Sequence, residues 1–372
     1  MNENQAKPLA YLDQNALDFI LKNGEEGCYE FFRKNLQVVY SDFTLREIHK
    51  AGLNANNEVK SLEFVNVLEM LNAQHIKLCQ LEDGSFNIWR SFKTPIEHYQ
   101  YFIEFEMPFD KFLNPMILVN QAFYNGISDY KAFGEQQKSN ILEIFSFLKS
   151  KIAELEELKK NMTAEELEDK SEEIDSFIND YKQKIALLDK EIPEFNANVD
   201  FTNQIFEDMN AEKDAHKAYQ DYYNIDINNL KKINSFDLLT KIFEYLQQQN
   251  PKLNTDINTF FNLYPNQQVF QKVLAIYTHL NLLGYYPDKK LKNQDRFISS
   301  YIDTNHASLA CFCEYLITND EPFIAKTKVA YEYLNVMTRI YGIRIDERGE
   351  MISLISKYDL FKLLDKRRVE IK

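Results

Sequence analysis

The chain has 372 residues, with 43 Lys+Arg against 57 Asp+Glu, for a formal net charge of −14. That balance excludes a uniformly basic nucleic-acid coat and leaves room only for a local basic groove. With 45% hydrophobic residues and only 9 Gly and 9 Pro, wholesale disorder and a turn-rich all-β chain are both disfavoured, and a mostly helical protein of two or three domains is expected.

Residues 1–92 alternate strand and helix signals. Leu9-Ala10-Tyr11-Leu12 is a short apolar run ending at Asp13. Leu17, Ile20 and Leu21 then follow at helical spacing, and Asn23-Gly24 stops them. Leu36-Gln37-Val38-Val39-Tyr40 predicts a buried strand, after which Ser41 and Asp42 offer cap oxygens to a helix carrying Phe43, Leu45 and Ile48. A further helix carries Val59, Leu62, Phe64, Val65, Leu68 and Leu71. Ile76–Leu81, Asp83-Gly84 and Phe86–Trp89 then predict a β-hairpin. This β-α-β-α order predicts a largely parallel sheet covered by helices.

Residues 93–294 form an expected all-α insertion. Its clearest part, about 138–192, has Ile141, Phe145, Leu148, Ile152 and Leu155 in alternating steps of four and three. Ile174, Ile178, Tyr181, Ile185, Leu188 and Ile192 repeat that spacing, and Thr163-Ala164-Glu165-Glu166 fits a capping box between the two runs. An antiparallel coiled-coil hairpin is expected, able to bind a protein partner or to support a homo-oligomer. Further helices are expected over Phe236–Gln248 and Gln268–Leu283.

From residue 295 the α/β style returns. Asp303 is expected to open a helix bearing Ala307, Leu309, Ala310 and Cys313. Glu314–Thr318 holds a strand, Asn319–Pro322 begin another helix, and Tyr341–Ile345 form a last strand. A basic amphipathic helical tail is expected from there to Lys372.

In parallel α/β sheets, ligands bind outside the carboxyl ends of the strands. Asp13, Ser41, Asp42, Glu47, Asp303, Thr318, Asn319 and Asp320 all fall at or near such ends. Carboxylates clustered there repel, and a hard divalent cation, Mg²⁺ or Mn²⁺, is the simplest compensation. The competing reading is that Asp303 and Asp320 only cap helices, that Glu47 is solvated, or that Asp42 replaces Glu47.

These segments resemble the PIN-domain nucleases. Leu12-Asp13-Gln14-Asn15 is similar to the family's opening Asp-x-Asn. Ser41-Asp42-Phe43-Thr44-Leu45-Arg46-Glu47-Ile48 is similar to its second motif, Asp303-Thr304-Asn305-His306-Ala307 to its third, and Thr318-Asn319-Asp320 to its fourth. The resemblance implies a three-layer α/β/α PIN-like domain, split into residues 1–92 and 295–372 by the insertion. It also implies a metal-dependent endoribonuclease in which Asp13, Glu47, Asp303 and Asp320 are catalytic metal ligands and Asn15, Ser41 and Thr318 support them. RNA is the implied substrate, and a toxin or phage-defence setting is consistent with the family. Two other readings stay open: a non-catalytic scaffold whose insertion binds a protein, and a structure-specific DNA nuclease.

Other signals are weaker. Arg46, Lys326, Lys328, Arg339 and Arg344 are scattered candidates for phosphate contacts. Cys28, Cys79, Cys311 and Cys313 lack zinc spacing and are expected to be reduced thiols. His306 lies one helical turn beyond Asp303 and is more simply a supporting residue than a ligand. No secretory signal, Gly-rich phosphate loop or membrane-length apolar run is visible, so a soluble cytoplasmic protein is expected.

Overall fold

The computed structural model describes residues 7–55, 58–81, 84–107, 130–208, 221, 238–249, 268–286, 294–345, 351–355 and 358–359. The chain divides into two units, one of residues 1–107 with 219–372 and the other of residues 108–218.

The first unit is built on an eight-stranded sheet in the order β4-β3-β2-β1-β5-β6-β7-β8. The strands are β1 (Leu9–Leu12), β2 (Gln37–Tyr40), β3 (Gln74–Gln80), β4 (Phe86–Arg90), β5 (Tyr315–Ile317), β6 (Arg339–Ile345), β7 (Met351–Ile355) and β8 (Tyr358–Asp359). β1 pairs in parallel with β2 on one side and with β5 on the other, so a strand near residue 10 and a strand near residue 316 are neighbours. β2 with β3 and β5 with β6 are also parallel, whereas β4, β7 and β8 pair antiparallel at the two edges.

Alternation along the strands explains the layers. Ala10, Leu12, Val38, Tyr40, Tyr315 and Ile317 belong to one core cluster, and Tyr11, Val39 and Leu316 to another, as side chains of successive strand residues must point to opposite faces. On the first face lie α1 (Gln14–Asn23), α2 (Glu26–Asn35), α3 (Asp42–Asn54), α4 (Glu58–Met70) and α5 (Pro95–Tyr101), the last continuing into a π-turn over Phe102–Glu106. On the second lie α8 (Leu238–Gln249), α9 (Val269–Leu283), α10 (Gln294–Ala310) and α11 (Glu321–Leu334). Helices on both faces of a mainly parallel sheet are what strands apolar on both sides require. α8 and α9 fall where the sequence predicts helices within the insertion, and they cover this second face.

The second unit contains α6 (Tyr130–Asn161) and α7 (Ala164–Asp208), which pack side by side. They run antiparallel, because the ion pairs Lys159–Asp175, Lys182–Glu156 and Lys138–Asp200 climb one helix as they descend the other. Ile141, Leu148, Ile174, Ile178 and Tyr181 are buried along the shared face, as their spacing predicts.

Three expectations need correction. Asp303 does not open a helix: α10 begins at Gln294, and Asp303 sits in its interior. This helix buries Ser300 and Thr304 as well as Phe297, and Asn281 donates to the Ser300 hydroxyl, so a polar face hides the helical period from an apolar count. The expected helical tail is overturned over Met351–Ile355 and Tyr358–Asp359, which are strands; β7 uses the free backbone edge of Gly342–Ile345. The basic end, Lys366-Arg367-Arg368, lies outside the described residues. α2 has no counterpart among the expected elements, although it buries Tyr29 and Phe32.

Candidate functional site

β1 ends at Leu12 in the middle of the parallel strands, so the next residue, Asp13, emerges at the carboxyl edge of the sheet. Its backbone N–H continues the ladder to Ile317, while its side chain caps α1 by accepting from Ala16 N at 2.8 Å. The other carboxylate oxygen accepts from the Thr318 hydroxyl at 2.5 Å and, more distantly, from the Asn15 amide at 3.4 Å. Asp13 is only 3% exposed. Burial pushes its pKa up to about 6 against the pull of Thr318 and Ala16; the nearby negative Glu47 adds to the rise, and His306 opposes it.

Thr318 continues the ladder past β5, its N–H bonding Tyr341 O. Its hydroxyl also accepts from Asp320 N at 3.1 Å. One side chain therefore joins Asp13 to the start of the next helix. There Asp320 caps α11, Oδ1 accepting from Phe323 N at 2.8 Å. The cap expected of Asp320 is present, and its carboxylate stays half-buried beside the edge. Asn319 fastens the same turn to β6 by accepting from Ile343 N at 2.7 Å.

Glu47 is held from the opposite side of the chain. Its side chain, 15% exposed, takes a bond from His306 Nε2 at 2.9 Å. His306 Nδ1 lies 2.7 Å from the Tyr11 hydroxyl, which lies 2.6 Å from Ser41 Oγ. An ionised Glu47 has only lone pairs to offer, so Nε2 carries the proton. In the neutral ring Nδ1 is then the acceptor, Tyr11 donates to it, and Ser41 donates to Tyr11. Proton donors are aligned Ser41→Tyr11→His306→Glu47 from the buried interior to the partly exposed Glu47. Burial holds the Tyr11 phenol well above its ordinary pKa, so it stays a donor.

The arrangement brings together Asp13, Glu47, Ser41 and Thr318, joins Asp320 to them through Thr318, and leaves Asn15 at the exposed rim. Asp303 stands one helical turn before His306 on α10, half-buried. Asp42 belongs elsewhere. Its Oδ1 meets His75 Nε2 at 2.8 Å, and Lys77 is 3.9 Å away. Burial would raise its pKa, but the bond and charge of His75, with Lys77 and Arg46, bring it below the usual range.

The acidic set has the hard oxygen chemistry that Mg²⁺ or Mn²⁺ prefers, and Asp13 is a desolvated carboxylate of the kind a cation would relieve. Among the described residues, however, no group of three or more His, Cys, Asp or Glu side chains stands ready to hold a metal ion. Glu47 is turned to His306 and Asp320 to its helix, so a cation would have to draw them together.

The expected basic contacts do not form a groove. Lys326 is fully buried, its Nζ donating to Asn281 Oδ1 at 2.7 Å over the Tyr277 ring. Lys328 pairs with Glu332, the Arg46 guanidinium stacks over Phe43, and Arg339 begins β6 at the amino edge. The Arg344 side chain lies outside the described residues. Cys28, Cys79, Cys311 and Cys313 are free thiols. No helix among the described residues is long and apolar enough to cross a membrane.

Tyr11 joins the site although inside Leu9–Leu12 it reads as core; the available signal was its hydroxyl, which a buried Tyr usually pairs. Searches against protein-family models, curated proteins and solved structures returned no match.

Proposed function

We propose that the chain is a divalent-metal-dependent endoribonuclease of PIN-like fold, working at the carboxyl edge around Asp13. The observation that carries this reading is the tie between Asp13 and Thr318, which joins the first and fourth PIN-like segments at one point of the sheet. Asp13, Glu47, Asp303 and Asp320 would supply the oxygen ligands. A cation held by them would supply Lewis-acid chemistry to a water and a phosphodiester. Thr318 orients Asp13. His306, backed by Tyr11 and Ser41, fixes Glu47 and excludes solvent behind it. The paired helices α6 and α7 are read as a coiled-coil insertion that selects the target, contacts a protein partner or joins two copies.

The test is a thermal-shift and cleavage series with Mg²⁺ and Mn²⁺. The expected result is cation-dependent stabilisation and cutting of single-stranded RNA, both abolished by Asp13→Asn. An Asp13→Asn protein that cuts as well as wild type overturns the reading, as does a wild type that cuts neither RNA nor DNA. Parallel lanes with single-stranded and flap DNA separate a ribonuclease from a structure-specific DNA nuclease.

A second reading has its own observation. Glu47 and Asp320 are both already engaged by protein groups, which suits a non-catalytic PIN-like scaffold whose helical insertion binds a partner. It is favoured if no cation changes the melting temperature.

A further inference from the structure

The β3–β4 hairpin outruns the rest of the sheet. Tyr40, the last residue of β2, is in register with His75, so Ile76–Gln80 continue with β4 as their partner after β2 has stopped. At roughly 3.3 Å per residue, the hairpin stands about 16 Å beyond that edge. It forms a wall on the β2 side of the strand ends where Asp13 and Ser41 emerge.

The run at its base, level with the end of β2, is unusual for this chain. Trp89, the chain's one tryptophan, is 54% exposed, and Phe92 is 91% exposed. Burying either would contribute about 2–3 kcal/mol, and the fold forgoes it. They alternate with cations in Trp89-Arg90-Ser91-Phe92-Lys93, and Lys77 sits directly opposite Trp89 in the ladder. Arg90, the next residue, is exposed on the other face of the hairpin, opposite Ile76. Lys93 rests over the Tyr101 ring, whereas Lys77 shares its charge with Glu106 and Asp42. The segment is held in shape: Ser91 N donates to His75 O at 2.9 Å, and Lys93 N donates to Ser91 Oγ at 3.2 Å.

We propose that Trp89, Phe92 and Lys93, with Lys77 beside Trp89 on the same face of the hairpin, form a stacking platform for single-stranded nucleic acid; as a feeder to the Asp13 edge it rests on the nuclease reading. Aromatic faces accept any base, and cations alongside them meet the phosphates. A duplex keeps its base faces stacked inside, so the platform discriminates against it. The edge strand β4 ends in Arg90, and a second copy of this chain added there would bring like charges together.

The experiment uses full-length Asp13→Asn protein, so that bound strands stay intact, and fluorescein-labelled 12-mers of U and dT beside a 12-base-pair duplex. Single strands should quench the Trp89 emission and the duplex should not. Trp89→Ala should weaken anisotropy-measured binding about 5- to 150-fold, the range of one lost stack. Trp89→Phe should retain most of it, and Lys93→Ala should reduce the salt dependence. Circular dichroism of these exposed-site variants checks the fold. Equal binding by wild-type and Trp89→Ala surfaces, or no quenching, overturns the platform, whatever the cleavage assays give. Trp89-dependent binding by a wild type that cuts nothing keeps the platform and removes the nuclease. Preference of U over dT, or the reverse, assigns the sugar.

Discussion

The Thr318 hydroxyl donates to Asp13 Oδ2 across 305 residues of sequence and accepts from the backbone N–H of Asp320. This bridge fixes the order of events at the sheet edge: Asp13 is oriented by β5, and α11 is started by the residue that orients Asp13.

Thr318→Val removes the donor while keeping the shape. It should cost about 1–3 kcal/mol in urea unfolding, the penalty for leaving a buried acceptor short of a partner. Thr318→Ser should restore most of that. Equal stability of the Val and Thr proteins would mean the bridge contributes nothing.

Asp13 carries a pH signature. Its folded pKa, about 6, lies above the roughly 3.9 of an unfolded Asp. The folded state therefore holds the proton more tightly, and Asp13's contribution to stability is full below pH 4 and lost as pH rises through 6. The loss is at most about 3 kcal/mol, by the conversion of roughly 1.4 kcal/mol per pH unit. In cation-free buffer, Asp13→Asn should accordingly gain on wild type in melting temperature between pH 4 and pH 7. A difference that stays flat with pH contradicts the burial argument.

His306 should be the Nε2–H tautomer, with Nδ1 accepting from Tyr11. Nitrogen-15 chemical shifts of the imidazole report this directly. Tyr11→Phe should free Nδ1 and cost about 1–3 kcal/mol, an unsatisfied buried acceptor again. An Nδ1–H tautomer in the wild-type spectrum would reverse the donor chain drawn from Ser41 to Glu47.

Leu148 is 1% exposed on the shared face of α6 and α7. Leu148→Ala should destabilise that unit by about 2–5 kcal/mol, from lost transfer energy plus the cavity. Hydrogen exchange within Tyr130–Asn161 should rise accordingly, while an exposed Leu142→Ala control should leave it unchanged.

Strands β1 to β6 and most helices were legible because their chemistry is local. Leu9–Leu12, Gln37–Tyr40 and the Gly84 turn, with φ of +80°, follow from apolar runs and a residue that tolerates positive φ. Asp13, Ser41, Thr318 and Asp320 were legible by position, since a residue following a parallel strand has to appear at the carboxyl edge. What was not legible was partner choice. That Glu47 would meet His306, or that Asp42 would meet His75, depends on how α10 and β3 pack, and no spacing in the chain encodes it. α10 was misplaced at its start because Ser300 and Thr304 satisfy their hydroxyls internally and are buried as though apolar. The strand Met351–Ile355 was read as helix because its partner edge exists only once β6 has formed.

The central position of β1 also dictates timing during synthesis. One flank of β1 is filled by β2 within the first forty residues, but the other must wait for Tyr315–Ile317. Until that late segment leaves the ribosome, Asp13 lacks Thr318 and the sheet has a vacant slot at its middle. A nascent chain cut short before it can carry β4 with Trp89, yet cannot complete the acidic edge. A chain that stops before Tyr315 therefore lacks both the second neighbour of β1 and the hydroxyl that orients Asp13.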